Sequence, residues 1–528
     1  MFNLIFDPVT ISSIYKLLEN RACPSPDSDA ILGPGRAPLT FGRLCAHVRE
    51  VVACLNALGI HRHDKVAIVL PNGPEMAVGF LSIACGAVAA PLNPFYGASE
   101  FEFYLSDLDA RALVVQAGVA SPAIDLARGR GIPVMEIVPK WEDAAGLFGF
   151  AGVTPQPGSP PDIAEAEDIA LVLHTSGTTS RPKAVMLTNA NFIYGSEVFR
   201  AATGLRHEDH HLIALPLYHS AAQCHALWPS VISGCSVSIL SRFSASRFFE
   251  QATTHGGTMA ALFGSPLRML LNQPERATDR THRLRNVTYA QNLTPTQYED
   301  WHRRFGAPLQ QLWGMTEICA LPIMSPLSGE RRLMAMGRPV LGYEAKIVDD
   351  SGRELPPHVP GQLIVRGRPG HSLMKGYLKD GAATEKTLRQ MQGETWLFSG
   401  DTATCDQDGF FYFLDRSNDM IKRSGLNIST SEVESVIAAL DGVADVCVCG
   451  LPDPMRDESV AAVVVRKPQT QITTDDIRSH CAAHLAPHKV PERIEFFAIL
   501  PRTSVGKVRK NIVREQLLTG KPETKADA

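Results

Sequence analysis

The stretch LVLHTSGTTSRPKAVMLTN, from Leu171 to Asn189, concentrates residues able to do chemistry. Thr175, Ser176, Gly177, Thr178, Thr179 and Ser180 are all hydroxyl-bearing or glycine, and Arg181, Pro182 and Lys183 close the run. Small residues let backbone N–H groups and hydroxyls approach an anion closely, and a terminal lysine adds charge. Phosphate is the anion that this pattern suits. A Walker loop is excluded, because GxxxxGK[ST] needs glycine before its lysine and Pro182 stands there. A solvated linker or plain turn has the same composition, so the stretch alone leaves both readings open.

The flanking elements must hold such a loop rigidly if it is to bind anything. DIALVL (Asp168 to Leu173) and the AVMLT that follows Lys183 read as buried strands, with Asn189 or Asn191 able to cap the next helix. The same rhythm runs through the first four hundred residues. Thr40 to Leu58 has helical spacing, KVAIVL reads as a strand, SEFEFYLSD as a helix and ALVV as a strand. This predicts α/β units around largely parallel sheets. From Gly337 the texture becomes short alternating strands with Asp-Ser-Gly and Pro-Gly turns, a small β-rich subdomain over residues 337–416. A boundary falls near Arg416. Beyond it, Ser431 and Glu434 stand at capping-box spacing before a Val433, Val436, Ile437, Leu440 stripe, opening a small α+β unit over residues 417–528.

The bulk properties narrow the partners. A chain of 528 residues exceeds one ordinary core, and a net charge of −4 gives no reason to expect nucleic acid or an anionic membrane. Eleven cysteines without a CxxC pair read as reduced, cytosolic thiols, and Cys447 and Cys449 as a packed pair on one strand face. MAVGFLSIACGAVAAPLN, the longest uncharged run, reads as a buried helix and strand rather than a membrane span. The N-terminus makes a poor signal peptide and ETKADA carries no peroxisomal tripeptide, so a cytoplasmic setting is the default.

TSGTTSRPKAVMLT resembles the phosphate-binding signature of the adenylate-forming superfamily of acyl-CoA synthetases, luciferases and adenylation domains. LPLYHS, WGMTE, SGD, DRSNDMIKRSGLNIS and PRTSVGKVRK agree with it in the family's order and spacing, and the likeness runs from LTFGRL near Leu39 onward. PLNPFYGASEFEFYLSD and HTSGTTSRPK are most similar to the oxalate–CoA ligase type. The resemblance implies a large N-terminal domain over residues 1–416, a mobile C-terminal lid with its hinge near Asn418, and a two-step reaction. A carboxylate attacks the α-phosphorus of Mg-ATP, giving acyl-adenylate and pyrophosphate; a thiol, usually that of CoA, then displaces AMP. The lid rotates between the steps.

By that resemblance Thr175, Ser176, Gly177, Thr178, Thr179 and Lys183 cradle the β- and γ-phosphates. Thr316 meets the α-phosphate and Glu317 holds Mg2+. Trp313 stacks on the adenine, Gln311 belongs to the nucleotide-binding set, and Asp401 and Arg416 bind the ribose. Lys507 is the adenylation lysine. His219 stands near the acyl pocket, Lys422 approaches AMP, and Ser424 and Gly425 line the pantetheine tunnel. Gln223, Trp228, Gln291, Asn292 and Met315 are expected near the acid, and YHSAAQ lacks the carboxylate that would favour an amino-acid substrate.

Several positions depart from the family's usual residues: Ser180, Ala184 and Ser424 for glycine, Gln362 for glutamate, Asn418 at the hinge, and Ala290, Gln291 and Asn292 for a small-residue turn. The principal reading is an acid–CoA ligase. The alternative is an adenylating enzyme that loads a carrier protein in trans. A phosphotransferase, which would make ADP, and a non-catalytic nucleotide-binding relative are the rivals from other classes.

Overall fold

The computed structural model describes residues 13–153, 161–175, 182–416, 419–423, 426–503 and 506–520. Two large sheets form the body. The eight-stranded sheet carries Val88–Pro91, Lys65–Val69, Ala112–Gln116 and Val134–Pro139 as parallel strands, ended by an antiparallel hairpin of Ile169–Thr175 and Lys183–Thr188. The nine-stranded sheet has a parallel centre that includes His210–Ile213, Met259–Phe263, Asn286–Ala290 and Leu309–Trp313. Helix Pro74–Gly86 is buried along nearly its whole length and contacts strands of both sheets. Its Phe80 meets Trp228 edge-on at 5.4 Å, and Phe192 lies 4.9 Å from the same indole. The uncharged run therefore forms the centre of the body. No helix among the described residues is long and apolar enough to cross a membrane.

The β-rich region forms its own antiparallel sheet of Glu344–Val348, Gly361–Arg366, Leu388–Met391, Glu394–Cys405 and Phe411–Arg416. It is less self-contained than the texture suggests. Arg338–Pro339 ends the nine-stranded sheet, and Gly376–Tyr377 pairs with Lys183–Thr188 in the eight-stranded one. That last pairing brings Tyr377 beside Lys183. The small C-terminal sheet is built from strands beyond residue 420, with Thr430–Ala438, Thr474–His484 and Lys510–Thr519 as its helices. Cys447 and Cys449 are both buried in it, and none of the chain's cysteines is in a disulfide.

Two helix starts differ from expectation. Thr188, rather than Asn189 or Asn191, caps helix Asn189–Thr203: its Oγ1 accepts the Asn191 N–H at 3.1 Å, and Asn191 Oδ1 accepts the Thr188 N–H at 3.0 Å. Asn189 is drawn inward to accept the Ile14 N–H. In the C-terminal part Ser429 caps helix Thr430–Ala438 in place of Ser431. Glu434 instead accepts the Val448 N–H at 2.8 Å and pairs with Lys510 at 2.9 Å. In both cases a tertiary partner decides between equally suited neighbours.

Strand His210–Ile213 makes the fold sensitive to acid. Burial pushes His210 down to about 4, helped by His255, and His211 down to about 3, helped by His210. Below about pH 6.5 the unfolded chain takes up protons that these folded imidazoles refuse, so stability falls with pH until their folded values are reached. At pH 5 the cost is about 2 kcal/mol for each. Thermal midpoints should be level from pH 8 to 7 and drop by several degrees from pH 6 to 5. A level profile down to pH 5 would refute this account.

Candidate active site

The ends of the phosphate loop are fixed by the sheet. Thr175 closes one strand and Lys183 opens the next, the two are direct cross-strand partners, and Thr175 Oγ1 donates to the Lys183 carbonyl at 3.3 Å. Ser176, Gly177, Thr178, Thr179 and Ser180 lie outside the described residues. Ala184 is an ordinary buried strand residue without positive φ, so its methyl strains nothing. The Lys183 ammonium lies 4.9 Å from the Tyr377 ring centroid.

Tyr377 connects that lysine to the proposed metal carboxylate. Its hydroxyl donates to Glu317 Oε1 at 2.9 Å, and the Met374 N–H donates to the Glu317 carbonyl at 2.7 Å. Burial and the Glu317 carboxylate raise the Tyr377 phenol, which keeps it a donor. Beside Glu317, the Thr316 hydroxyl lies 3.0 Å from that of Ser220. Among the described residues no group of three or more His, Cys, Asp or Glu is placed to hold a metal. A single buried carboxylate suits Mg2+, which keeps several waters and binds largely through nucleotide phosphates.

Three residues earlier, the Trp313 indole N–H donates to Asp401 Oδ2 at 2.9 Å. Trp313 is otherwise packed in the core with Val198, Ile318 and Ile323. Gln311 bridges inward, accepting from the Tyr289 hydroxyl at 3.0 Å and donating to Asn292 Oδ1. Asp401 and Arg416 face each other across adjacent strands, which puts both backbone positions at the border with the C-terminal domain. Gln291, at φ +76°, adopts the left-handed geometry that glycine favours, which explains why a small-residue turn is usual there.

Lys507 arrives from the C-terminal domain. Its ammonium lies 5.3 Å from the Phe263 ring centroid, a cation–π placement. His219 meets the same ring edge-on at 6.1 Å, and its Nδ1 accepts the Ala221 N–H at 3.2 Å. Burial, then the nearby Lys507 charge, pushes His219 and His225 each down to about 3, so both imidazoles are neutral at pH 7. Each keeps partial solvent exposure. The contacts run from Lys183 to Tyr377 to Glu317 and from the neighbouring Thr316 to Ser220, while His219 and Lys507 meet at the Phe263 ring.

Some expected residues lie elsewhere. Gln223 and Trp228 expose no surface at all. Gln223 donates to the Leu217 carbonyl, and Trp228 fills the space between Phe80 and Phe192. Gln223–Leu227 is wound as a π-helix, and within it His225 lies near enough to Lys507 to feel its charge. The Lys422 side chain is exposed on strand Ile421–Arg423, where its N–H donates to Glu458, and it meets none of the described nucleotide-site side chains. Asn418, Ser424 and Gly425 lie outside the described residues. Sequence reasoning missed Tyr377, His225 and Ser220. LPLYHS already contained Ser220, but no local signal distinguished the other two.

Two family models match the chain: AMP-binding enzyme over residues 18–378, and AMP-binding enzyme C-terminal domain over residues 432–507. A crotonobetaine/carnitine–CoA ligase of Salmonella heidelberg is 31% identical over 481 residues, 90% of this chain and 92% of its own length. ATP-bound MatB from Rhodopseudomonas palustris is 26% identical with a TM-score of 0.84, covering 95% of this chain and 98% of that one. The o-succinylbenzoate CoA synthetase MenE of Bacillus subtilis, in complex with ATP and a magnesium ion, is 27% identical with a TM-score of 0.80, covering 94% and 98%. Its complex with the acyl-adenylate OSB-AMP gives 27% and 0.81, covering 97% and 99%. A family match of that length, on a chain whose six motifs already agree in order, carries the assignment: this protein belongs to the AMP-binding enzymes, the adenylate-forming superfamily.

Proposed function

We propose that this chain joins a carboxylic acid to CoA in two steps at one site, and that Lys507 acts in the first. The observation that carries the reading is Lys507 itself, a residue of the C-terminal domain placed over Phe263 and close to the neutral His219. In the first step a carboxylate oxygen of the acid bonds to the α-phosphorus of ATP, and the bond to the β-phosphate breaks, releasing pyrophosphate. Lys507 holds the attacking carboxylate and the α-phosphate together, with Thr316 on the same phosphate. Thr175 and Lys183 hold the departing pyrophosphate. Glu317 would hold Mg2+, which neutralises phosphate charge when bound. Asp401 and Arg416 bind the ribose, with Trp313 and Gln311 behind the base.

In the second step the CoA thiolate bonds to the acyl carbon and AMP leaves with the electron pair. Residues 417–528 act as the lid that turns about a hinge near Asn418, bringing Ser424 and Gly425 to the pantetheine arm. The relatives named as CoA ligases favour CoA over a carrier protein's thiol. His219 and His225 supply neutral hydrogen-bonding groups near Lys507. They support a short polar acid over a long hydrocarbon chain. The oxalate–CoA ligase-like stretches and the crotonobetaine and carnitine of the relative's name agree with that. The reduced thiols agree with a cytoplasmic setting.

The test is pyrophosphate release with ATP, Mg2+ and a panel of crotonobetaine, carnitine, oxalate, malonate, benzoate and octanoate, with and without CoA. A short polar acid should give the fastest release, with AMP and an acyl-CoA as products. ADP as product would overturn the ligase reading, and preference for octanoate would overturn the polar chamber.

A further inference from the structure

Lys507 sits on a closed hairpin. Arg502 bridges to Val508, the Thr503 N–H donates to the Lys507 carbonyl at 2.7 Å, and the Lys507 N–H donates to Thr503 Oγ1 at 3.1 Å. Gly506, just before the lysine, has φ +82°, a conformation that side chains rarely adopt. The lysine is therefore tied through Thr503 and Val508 to Arg502, so what holds the arginine bears on where the lysine stands.

Arg502 is held from both domains. Its Nη1 donates to Ser265 Oγ at 2.6 Å and also to the Gly506 carbonyl, while its Nη2 pairs with Asp445. Ser265 is buried, and it lies two residues beyond Phe263, over whose ring the Lys507 ammonium sits. One short corner of the N-terminal domain thus receives both ends of the hairpin. Arg268, one turn further along helix Gly264–Leu271, approaches the same Ser265 hydroxyl at 3.4 Å. Asp445 attracts both guanidiniums, which would otherwise repel each other across the domain border.

We propose that Arg502 is a positioning residue, docked on Ser265 to set Lys507 for adenylate formation, and that this contact must open before the thiol step. The proposal rests on the two-step reading and on the role given there to Lys507. Near the hinge the domains are also joined through Asp415, whose Oδ2 accepts the Thr430 N–H at 2.7 Å. A contact beside the pivot is displaced little by rotation. The Arg502–Ser265 bond joins residues 237 apart in sequence and sits at the lysine itself, so rotation of the lid breaks it. A charged hydrogen bond present in only one of two poses shifts the balance between them by its own strength, so its loss slows the first half-reaction and does not slow the second.

The experiment uses the full-length protein and the acid of the panel with the fastest pyrophosphate release. Single-turnover pyrophosphate release reports the first step. Thioester formation from the synthetic acyl-adenylate and CoA reports the second. Ser265→Ala should slow the first about tenfold, and Arg502→Gln about a hundredfold, with the second step unchanged within about twofold. The double variant should be no worse than Arg502→Gln alone, because both changes remove the same contact. Equal losses in both steps would mark a merely structural role and overturn the proposal, as would unchanged adenylation. Retained thioester formation shows that each variant is folded. Lys507→Ala separates the two ideas. If it leaves pyrophosphate release intact, the reading of the lysine has failed; if it alone abolishes release, only the docking role of Arg502 has.

Discussion

Lys507→Ala should lower acid-dependent pyrophosphate release by about 10²- to 10³-fold, the usual cost of removing one preorganised charge donor from a developing oxyanion. Conversion of a preformed acyl-adenylate by CoA should stay near the normal rate, since the lysine faces the site in the first pose alone. Fold stability should not change, because the ammonium rests over Phe263 at the domain border and not in a core cluster. Lys507→Arg should recover little. A planar fork cannot place its charge where a compact ammonium stood, and the neutral His219 alongside has no second charge to offer. Isotope exchange between pyrophosphate and ATP, run with each variant, measures the first step alone. Wild-type exchange in Lys507→Ala would remove the lysine from the mechanism.

Glu317→Gln should give a loss of about 10²-fold in the same assay, partly recovered by raising Mg2+, since the amide keeps an oxygen but loses the charge. Chelation with EDTA should abolish release in the wild type. Tyr377→Phe is the informative companion. It removes the hydroxyl's hydrogen bonds to Glu317 Oε1 and Thr387 and leaves the ring against Lys183, so its loss should be tenfold or less. An Mg2+ dependence in Glu317→Gln identical to the wild type would show that the carboxylate does not hold the metal.

The strands around the site were legible because each buries a short apolar run. Ile169–Thr175 and Lys183–Thr188 fall within a residue or two of their sequence boundaries. What flanks them was less so. Thr188, Asn189 and Asn191 are all able to cap a helix, and only the folded positions of Ile14 and Asp168 draw Asn189 away from that task. Gln223 and Trp228 are fully buried, and the π-turn over Gln223–Leu227 was not legible because no sequence period announces one. Tyr377 was the hardest. Its strand is two residues long, and its partner strand lies nearly two hundred residues earlier. A pattern needs more residues than that to show a period, so its place emerges only from the sheet.

The Tyr377 phenol also has a role before any nucleotide binds. Lys183 and Glu317 carry opposite charges on either side of this ring, and opposite charges attract. The ring takes the ammonium on its face and the hydroxyl takes the carboxylate, so each charge is satisfied at a separate end of one rigid spacer. The tyrosine therefore works as an insulator as much as a connector, holding the ammonium and the carboxylate at separate ends of its side chain.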